Sequence, residues 1–168
     1  MKNSQVDFID MFLGRIKFIN DRIEVLEKEK RFYEIVFWKS FIVEAELALL
    51  ISTYEEALLY ATRGNALISF KKREPEDLIV REKKTLGRLR DDLMKYCNDS
   101  VLFKSLDEFI KVRNLIIHRF FFLSFGDPGY AESLIFRKKP IKFLINSDHL
   151  ETVLLRKIVA LRRSLRKK

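Results

Sequence analysis

The stretch IDMFLGRIKFINDRIEVL, residues 9–26, carries apolar side chains at alternating steps of three and four residues. This row comprises Ile9, Phe12, Ile16, Ile19, Ile23 and Leu26. Because an α-helix has about 3.6 residues per turn, the spacing places the row on one face and predicts a helix that packs lengthwise against another. Additional apolar residues widen this face, which favours a helix inside a bundle over one strand of a two-stranded coiled coil.

A second helix with two apolar rows is predicted from about residue 33 to residue 62. Two rows are typical of a central helix that packs on both sides. Gly64 and Asn65 suit a left-handed exit from this helix. Residues 65–84 have a weaker pattern around Pro75, and we interpret them as a connector with at most a short helix.

Two further helices are predicted after the connector. Thr85 suits the N-cap of a helix that continues through about Tyr96. A polar break follows, and Ser100 suits the N-cap of a helix over about residues 101–121.

The last part of the chain contains turn residues before a final helix. Residues 126–129 read GDPG, and two short apolar runs around RKKP in residues 133–145 indicate a small hairpin or irregular element. Asp148 with Glu151 resembles a capping box that begins a final helix over about residues 148–168. We therefore expect an all-α, up-and-down bundle of four to five helices with that late element, forming one domain over residues 1–168.

Positive charge is concentrated at the C-terminal end of the sequence. The net charge is +9, and residues 156–168 hold seven Lys or Arg and no acidic residue, which leaves 26 basic and 24 acidic residues in positions 1–151. The segment is amphipathic. Its basic face fits RNA phosphates, an acidic partner or an anionic membrane surface, and it equally fits a solvated terminal helix whose cations complement the helix dipole.

The sequence pattern argues against secreted, membrane and metal-binding classes. The opening residues lack the uninterrupted apolar core and the cleavage site of a signal peptide, and no uncharged stretch approaches the about 20 residues that span a bilayer. We therefore expect a cytoplasmic protein without membrane insertion. Cys97 is the only cysteine, which excludes an intramolecular disulfide and offers no zinc constellation. We expect no metal and no cofactor.

The stretch VRNLIIHRFF, residues 112–121, interrupts an apolar helix with Arg113, Asn114 and His118. Asn114 and His118 are four residues apart and share a helical face, and the long side chain of Arg113 can reach the same pocket. Histidine exchanges a proton near neutral pH, arginine offers a fork of donors to phosphate oxygens, and asparagine can hold either group. The trio suits phosphate chemistry, although this spacing also arises by chance.

The trio, with three apolar residues between Asn114 and His118, resembles the signature of the HEPN superfamily. The preceding TLGRLRDDLMKY, the break and SLDEFIKVRNLIIHR are similar to the arrangement in many HEPN proteins, and the resemblance covers about residues 5–122. It implies a metal-independent ribonuclease and a homodimer whose two motif helices face each other across an RNA cleft. It also implies that His118 acts as acid or base, that Arg113 binds the scissile phosphate and that Asn114 supports either role.

Further residues extend or limit the resemblance. Family members often use an acidic residue of the central helix, and Glu44 is the candidate, with a helix-surface charge as its alternative. Toxins paired with a nucleotidyltransferase antitoxin often carry a modified tyrosine two residues after the His. Phe120 occupies that position and has no hydroxyl to modify. An antitoxin protein still belongs to the partners that the resemblance implies.

Five basic residues are candidate RNA contacts, and solvent-facing cations are their alternative interpretation: Lys111, Arg119, Arg156, Arg162 and Arg163. Two other functions compete with the ribonuclease. The first is a non-catalytic HEPN-like bundle that binds RNA, a nucleotide or a protein partner. The second is a dimeric scaffold whose basic tail recruits an acidic partner.

Overall fold

The structure is a computed structural model that describes residues 3–29, 31–62, 73–123 and 140–166. These ranges contain five α-helices and one short π-helix, and no strand occurs in them. The predicted all-α class is therefore confirmed. None of the helices in these ranges is long and apolar enough to cross a membrane.

Helix α1 (Asn3–Lys28) and helix α2 (Phe32–Ala61) form a long antiparallel pair. From Phe12 to Leu26, the predicted seam of α1 packs in the core against α2. Four apolar residues of the pair form one cluster and are at most 4 % exposed: Ile23, Leu26, Ile35 and Ile42. Since full burial of such a side chain contributes about 1.5–3 kcal/mol, apolar contact along the seam holds the two helices together.

Helix α2 is the central helix, as its two apolar rows predict. It contacts α1 and all the later helices that the structure describes. Its middle contains five apolar side chains that are completely removed from water: Val43, Leu47, Ala48, Leu50 and Ile51. The helix ends at Ala61, and the predicted exit at Gly64 and Asn65 lies outside the described residues.

The middle of the chain contains a π-helix (Asp77–Arg81), helix α3 (Leu86–Leu93) and helix α4 (Ser100–Leu123). Thr85 occupies the N-cap position of α3 with an extended backbone, as predicted, but its side chain makes no capping hydrogen bond. Helix α3 ends three residues before the predicted end at Tyr96, whose backbone N donates to Leu93 O in a turn.

The start of α4 is capped by Asp99 instead of the predicted Ser100. The Asp99 Oδ1 atom accepts a hydrogen bond from the backbone N of Leu102 at 2.9 Å. Lys157 and this amide lower the pKa of Asp99. A carboxylate at this position satisfies one amide of the first turn and complements the positive end of the helix.

Helix α5 (Pro140–Arg166) begins eight residues before the predicted start at residue 148. The hairpin or irregular element predicted over residues 133–145 is wrong for residues 140–145, because these residues are helical. Proline is tolerated in the first turn of a helix, where no backbone N–H is required, so the RKKP sequence precedes a helix and not a strand. The predicted turn at residues 126–129 and residues 133–139 lie outside the described residues.

The predicted capping box at Asp148 and Glu151 is also wrong, because both residues lie inside α5. Lys39 Nζ of α2 lies 2.7 Å from Asp148 Oδ1 and 3.1 Å from Glu151 Oε1. The Lys39 side chain is only 7 % exposed, and a buried cation requires such partners. The two acidic residues therefore neutralise a lysine of the central helix instead of capping α5.

The four long helices α1, α2, α4 and α5 alternate in direction. The contacts that fix the directions of the last three join Arg113 with Glu44, Tyr96 with Tyr54, Phe143 with Phe109, and Lys157 with Asp99. They make α4 antiparallel to both α2 and α5. The arrangement is the up-and-down bundle that the sequence predicts, with the π-helix and α3 between its second and third long helices.

Candidate functional site

Arg113, Asn114 and Glu44 meet where α4 contacts α2. The Nη1 atom of Arg113 donates a hydrogen bond to Asn114 Oδ1 at 3.0 Å, and its Nη2 atom lies 3.8 Å from Glu44 Oε1. The side chains of Arg113 and Glu44 are 30 % and 15 % exposed, so the pair is shielded from water on most sides. The structure therefore brings the predicted acidic residue beside the predicted arginine.

Glu44 reaches Arg113 because it belongs to a row of α2 that is otherwise apolar. Phe41 lies three residues before it and Ala48 four residues after it, and Ala48 is fully buried. Residues at these spacings share one helical face. A carboxylate on such a row is turned toward a neighbouring helix, and α4 is the neighbour that supplies the guanidinium.

The surroundings of the pair shift its electrostatics. Burial raises the pKa of the Glu44 carboxyl, and the positive charge of Arg113 opposes that rise. The Nε atom of Arg113 is buried and has no hydrogen-bond partner among the described residues. The guanidinium thus retains donor capacity that its present partners do not use, which is uncommon for a buried polar group.

Helix α4 continues without interruption through Leu123, so the backbone of His118 lies one helical turn beyond Asn114. The backbone of all three residues of the predicted trio therefore belongs to one continuous helix. The side chains of His118 and Arg119 lie outside the described part of the chain, and so does the side chain of Phe120.

Lys111 is exposed on α4 and lines a cavity of about 320 Å³ between α4 and α5. Phe109 stacks on Phe143 beside this cavity, with 5.0 Å between ring centroids. Lys111 lies three residues before Asn114 and is therefore adjacent to it on the helix surface. Of the five predicted RNA contacts, Lys111 is the one that the described structure places beside the trio.

The basic end of α5 lies far from Arg113 within one chain. Arg156 and Arg163 are exposed, and Arg162 is partly buried. Counting about 1.5 Å of rise per residue from the contact of Lys157 with Asp99, Arg156 lies about 20 Å and Arg163 about 30 Å from Arg113 along the bundle. The fold therefore separates the two groups of residues that the sequence nominates for RNA.

A buried ionic network around Glu55 was not predicted. The Glu55 side chain is 1 % exposed and accepts hydrogen bonds from the backbone N of Arg73 at 3.0 Å, from Arg73 Nε at 2.8 Å and from Tyr96 Oη at 2.8 Å. Arg73 also pairs with Glu82 at 3.1 Å. Glu55 lies eleven residues after Glu44 on the same face of α2. The sequence therefore contains one indication of its burial, which is a carboxylate on a row that is otherwise apolar.

A second unpredicted group is Glu46, which has no exposed surface and whose two carboxylate oxygens have no hydrogen-bond partner among the described residues. Burial and the nearby Glu151 carboxylate raise the pKa of Glu46 to about 9, and Lys39 opposes the rise. Glu46 lies three residues after buried Val43 and four before buried Leu50. As with Glu55, the sequence already shows this glutamate among apolar residues at helical spacing.

In the described ranges no three His, Cys, Asp or Glu residues form a group that could hold a metal ion. Cys97 is partly buried, and this burial raises the pKa of its thiol. No protein-family model, no curated protein and no solved structure matches the chain.

Proposed function

We propose that the protein is a cytoplasmic, metal-independent endoribonuclease of HEPN type that cleaves single-stranded RNA in a defence or toxin–antitoxin context. The observation that carries this proposal is the partly buried Arg113, which is 30 % exposed and is held between Asn114 and Glu44. A guanidinium fixed in this way fits the oxygens of a phosphodiester. The position of His118 one turn along the same helix supplies the proton-transfer group.

In the proposed reaction, an imidazole removes the proton of a ribose 2′-hydroxyl, and the 2′-oxygen forms a bond to the adjacent phosphorus. The bond from phosphorus to the 5′-oxygen breaks, and an imidazolium protonates that leaving oxygen. The products are a 2′,3′-cyclic phosphate and a free 5′-hydroxyl. Arg113 stabilises the charge that grows on the non-bridging oxygens, Asn114 orients Arg113 or the phosphate, and Glu44 holds Arg113 in place.

The proposed assembly is a homodimer in which the two copies of α4 face each other. Each copy then contributes one His118, so that one imidazole acts as base and the other as acid. Exposed Lys111 and Leu115, which is 36 % exposed, lie beside Asn114 on the outward part of α4 and suit such a contact. An antitoxin protein that covers this face would block access of RNA to the site.

The test is cleavage of an end-labelled, mixed-sequence single-stranded RNA in excess EDTA, with the products analysed for 2′,3′-cyclic phosphate ends. His118→Ala is compared with the wild type, and His149→Ala is the matched control because His149 is the only other histidine and lies exposed on α5. The wild type and His149→Ala should release cyclic phosphate. His118→Ala and Arg113→Ala should each lose at least about 100-fold in rate.

Equal cleavage by the wild type and His118→Ala would refute the assigned role of His118. Absence of cleavage by every protein, together with RNA binding, would replace the enzyme by the binding-module function. One observation favours that second function: exposed Arg156 and Arg163 lie seven residues apart on one face of α5, remote from the trio. RNA binding lost in Arg156→Glu/Arg163→Glu but kept in His118→Ala would support it.

A further inference from the structure

An apolar groove of about 430 Å³ lies on the α1–α2 side of the bundle. Helix α2 forms its floor, α1 forms one wall, and residues 75–80 form the other. Buried Phe12 and Ile42 and the partly buried Trp38 line it. An open groove with such a lining is unfavourable in water, because its apolar surface is removed from water only when something covers it.

Large side chains beside the groove are also unusually exposed. Phe37 and Phe41 are 51 % and 43 % exposed, and Val80 on the opposite wall is 69 % exposed. The rings of Phe37 and Phe41 pack edge to face at 4.8 Å between centroids, and Trp38 lies about 6 Å from both. Aromatic side chains clustered at an open surface are characteristic of the centres of protein interfaces.

The two walls of the groove carry opposite charges. Arg15 on α1 and Glu76 on the 75–80 wall both line the groove and are both exposed. Neither forms an ion pair or a side-chain hydrogen bond among the described residues, in contrast to Arg73 and Lys84 nearby, which have acidic partners. The groove therefore presents one unused cation and one unused anion across an apolar floor.

We propose that a second copy of the chain occupies this groove, related to the first by a two-fold axis that runs along it. Rotation about such an axis exchanges the walls, so that α1 of one chain faces the 75–80 wall of the other. Arg15 of each chain then meets Glu76 of its partner, and this pairing occurs twice. The Phe37 and Phe41 rings of the two chains cover each other's apolar floor.

This surface is distinct from the face of α4 that the proposed ribonuclease dimer uses, and the inference stands independently of the proposed function. Opposite charges on the two walls favour a second copy, because one surface then supplies both members of each ion pair. If both contacts form and their two-fold axes intersect at right angles, the chain assembles into a tetramer. If only the groove contact forms, it assembles into a dimer.

The test measures molar mass by light scattering from about 1 to 100 µM protein, together with the fluorescence of Trp38, the only tryptophan. Arg15→Glu and Glu76→Arg should each halve the mass of the wild-type assembly and weaken association at least about tenfold, because like charges then face each other twice. The double variant Arg15→Glu/Glu76→Arg restores both pairs with reversed sign and should recover the wild-type mass.

Arg88→Glu is the matched control, since it reverses an exposed arginine on α3 outside the groove and should leave the mass unchanged. Circular dichroism verifies that each variant keeps its helical content. A wild type that stays monomeric to 100 µM, as expected if a different protein occupies the groove, would overturn the inference. So would an unchanged mass in Arg15→Glu, or a double variant that stays dissociated. His118→Ala should not alter association through this surface, which separates this test from that of the ribonuclease.

Discussion

Replacing Glu46 by glutamine should flatten the pH dependence of stability and stabilise the fold at neutral pH. Glu46 has no exposed surface, and its carboxylate oxygens have no hydrogen-bond partner among the described residues. Its pKa is raised to about 9, first by burial and then by the Glu151 carboxylate, while Lys39 opposes the shift. Glutamine has nearly the same shape and does not titrate.

The direction of this pH dependence follows from the number of protons that the folded and the unfolded chain bind. Between the unfolded pKa of about 4.3 and the folded pKa of Glu46, which is raised to about 9, the folded chain keeps a proton that the unfolded chain has released. Each increase of one pH unit in this window therefore lowers the free energy of unfolding by about 1.4 kcal/mol. From about pH 4.5 to pH 7 the accumulated loss is about 3 kcal/mol, and Glu46→Gln abolishes it.

Urea unfolding followed by Trp38 fluorescence, at pH 5, 6, 7 and 8, gives the free energies. The difference between Glu46→Gln and the wild type should grow steadily in favour of the variant as the pH rises. Glu24→Gln is the matched control, because Glu24 is exposed on α1 and its replacement should leave the slope unchanged. Parallel pH profiles of Glu46→Gln and the wild type would refute the assignment of a proton to buried Glu46.

Three further substitutions test the packing and the ion pairs by urea unfolding. Glu55→Ala leaves the Arg73 guanidinium without its main partner and should cost about 3–5 kcal/mol, and a loss below about 1 kcal/mol would show that water replaces the carboxylate. Leu106→Ala removes a side chain with no exposed surface and should cost about 2–5 kcal/mol, and an unchanged stability would place Leu106 outside the core. Asp99→Ala removes the cap of α4 and should cost about 1 kcal/mol, and it should exceed the cost of Ser100→Ala if Asp99 is the cap.

Controls for the first two substitutions come from the same regions of the bundle. Tyr96→Phe removes one hydrogen bond to Glu55 while keeping the ring, so it should cost less than Glu55→Ala. Leu115→Ala truncates a leucine of α4 that is 36 % exposed and should cost much less than Leu106→Ala. A reversed order in either pair would contradict the burial of the residue concerned.

The sequence predicted the parts of the fold that depend on regular apolar spacing. The α1 seam and the first row of α2, which includes Val43 and Leu47, are buried and position both helices, whereas Phe37 and Phe41 of the second row are 51 % and 43 % exposed. The start of α5 was predicted wrongly, because Asp148 and Glu151 match the pattern of a capping box but bind Lys39 of α2 instead. Lys39 lies 109 positions before Asp148 in the sequence. A local pattern contains no information about such a distant partner.

In the candidate site, too, some features could be predicted from the sequence and others could not. The contact between Glu44 and Arg113 was accessible from the sequence, since each residue interrupts a helix that is otherwise apolar on that face. The separation of the basic end of α5 from Arg113 could not be predicted from the sequence. It depends on the antiparallel packing of α4 and α5, which the contacts at Asp99 and Phe109 establish and which no spacing within either helix encodes.

That antiparallel packing places positive charge at two separate positions along the bundle. Exposed Arg156 and Arg163 extend the positive charge at one end, and Arg113 lies about 20 and 30 Å away from them toward the other. A polyanion with about 3.4 Å between successive charges needs about nine such spacings, and therefore about ten charges, to reach from Arg163 to Arg113. A shorter oligomer can contact Arg113 or the basic end of α5, but not both at once. Affinity should therefore rise in a step when the oligomer becomes long enough to reach both, so that the bundle selects its ligand by length.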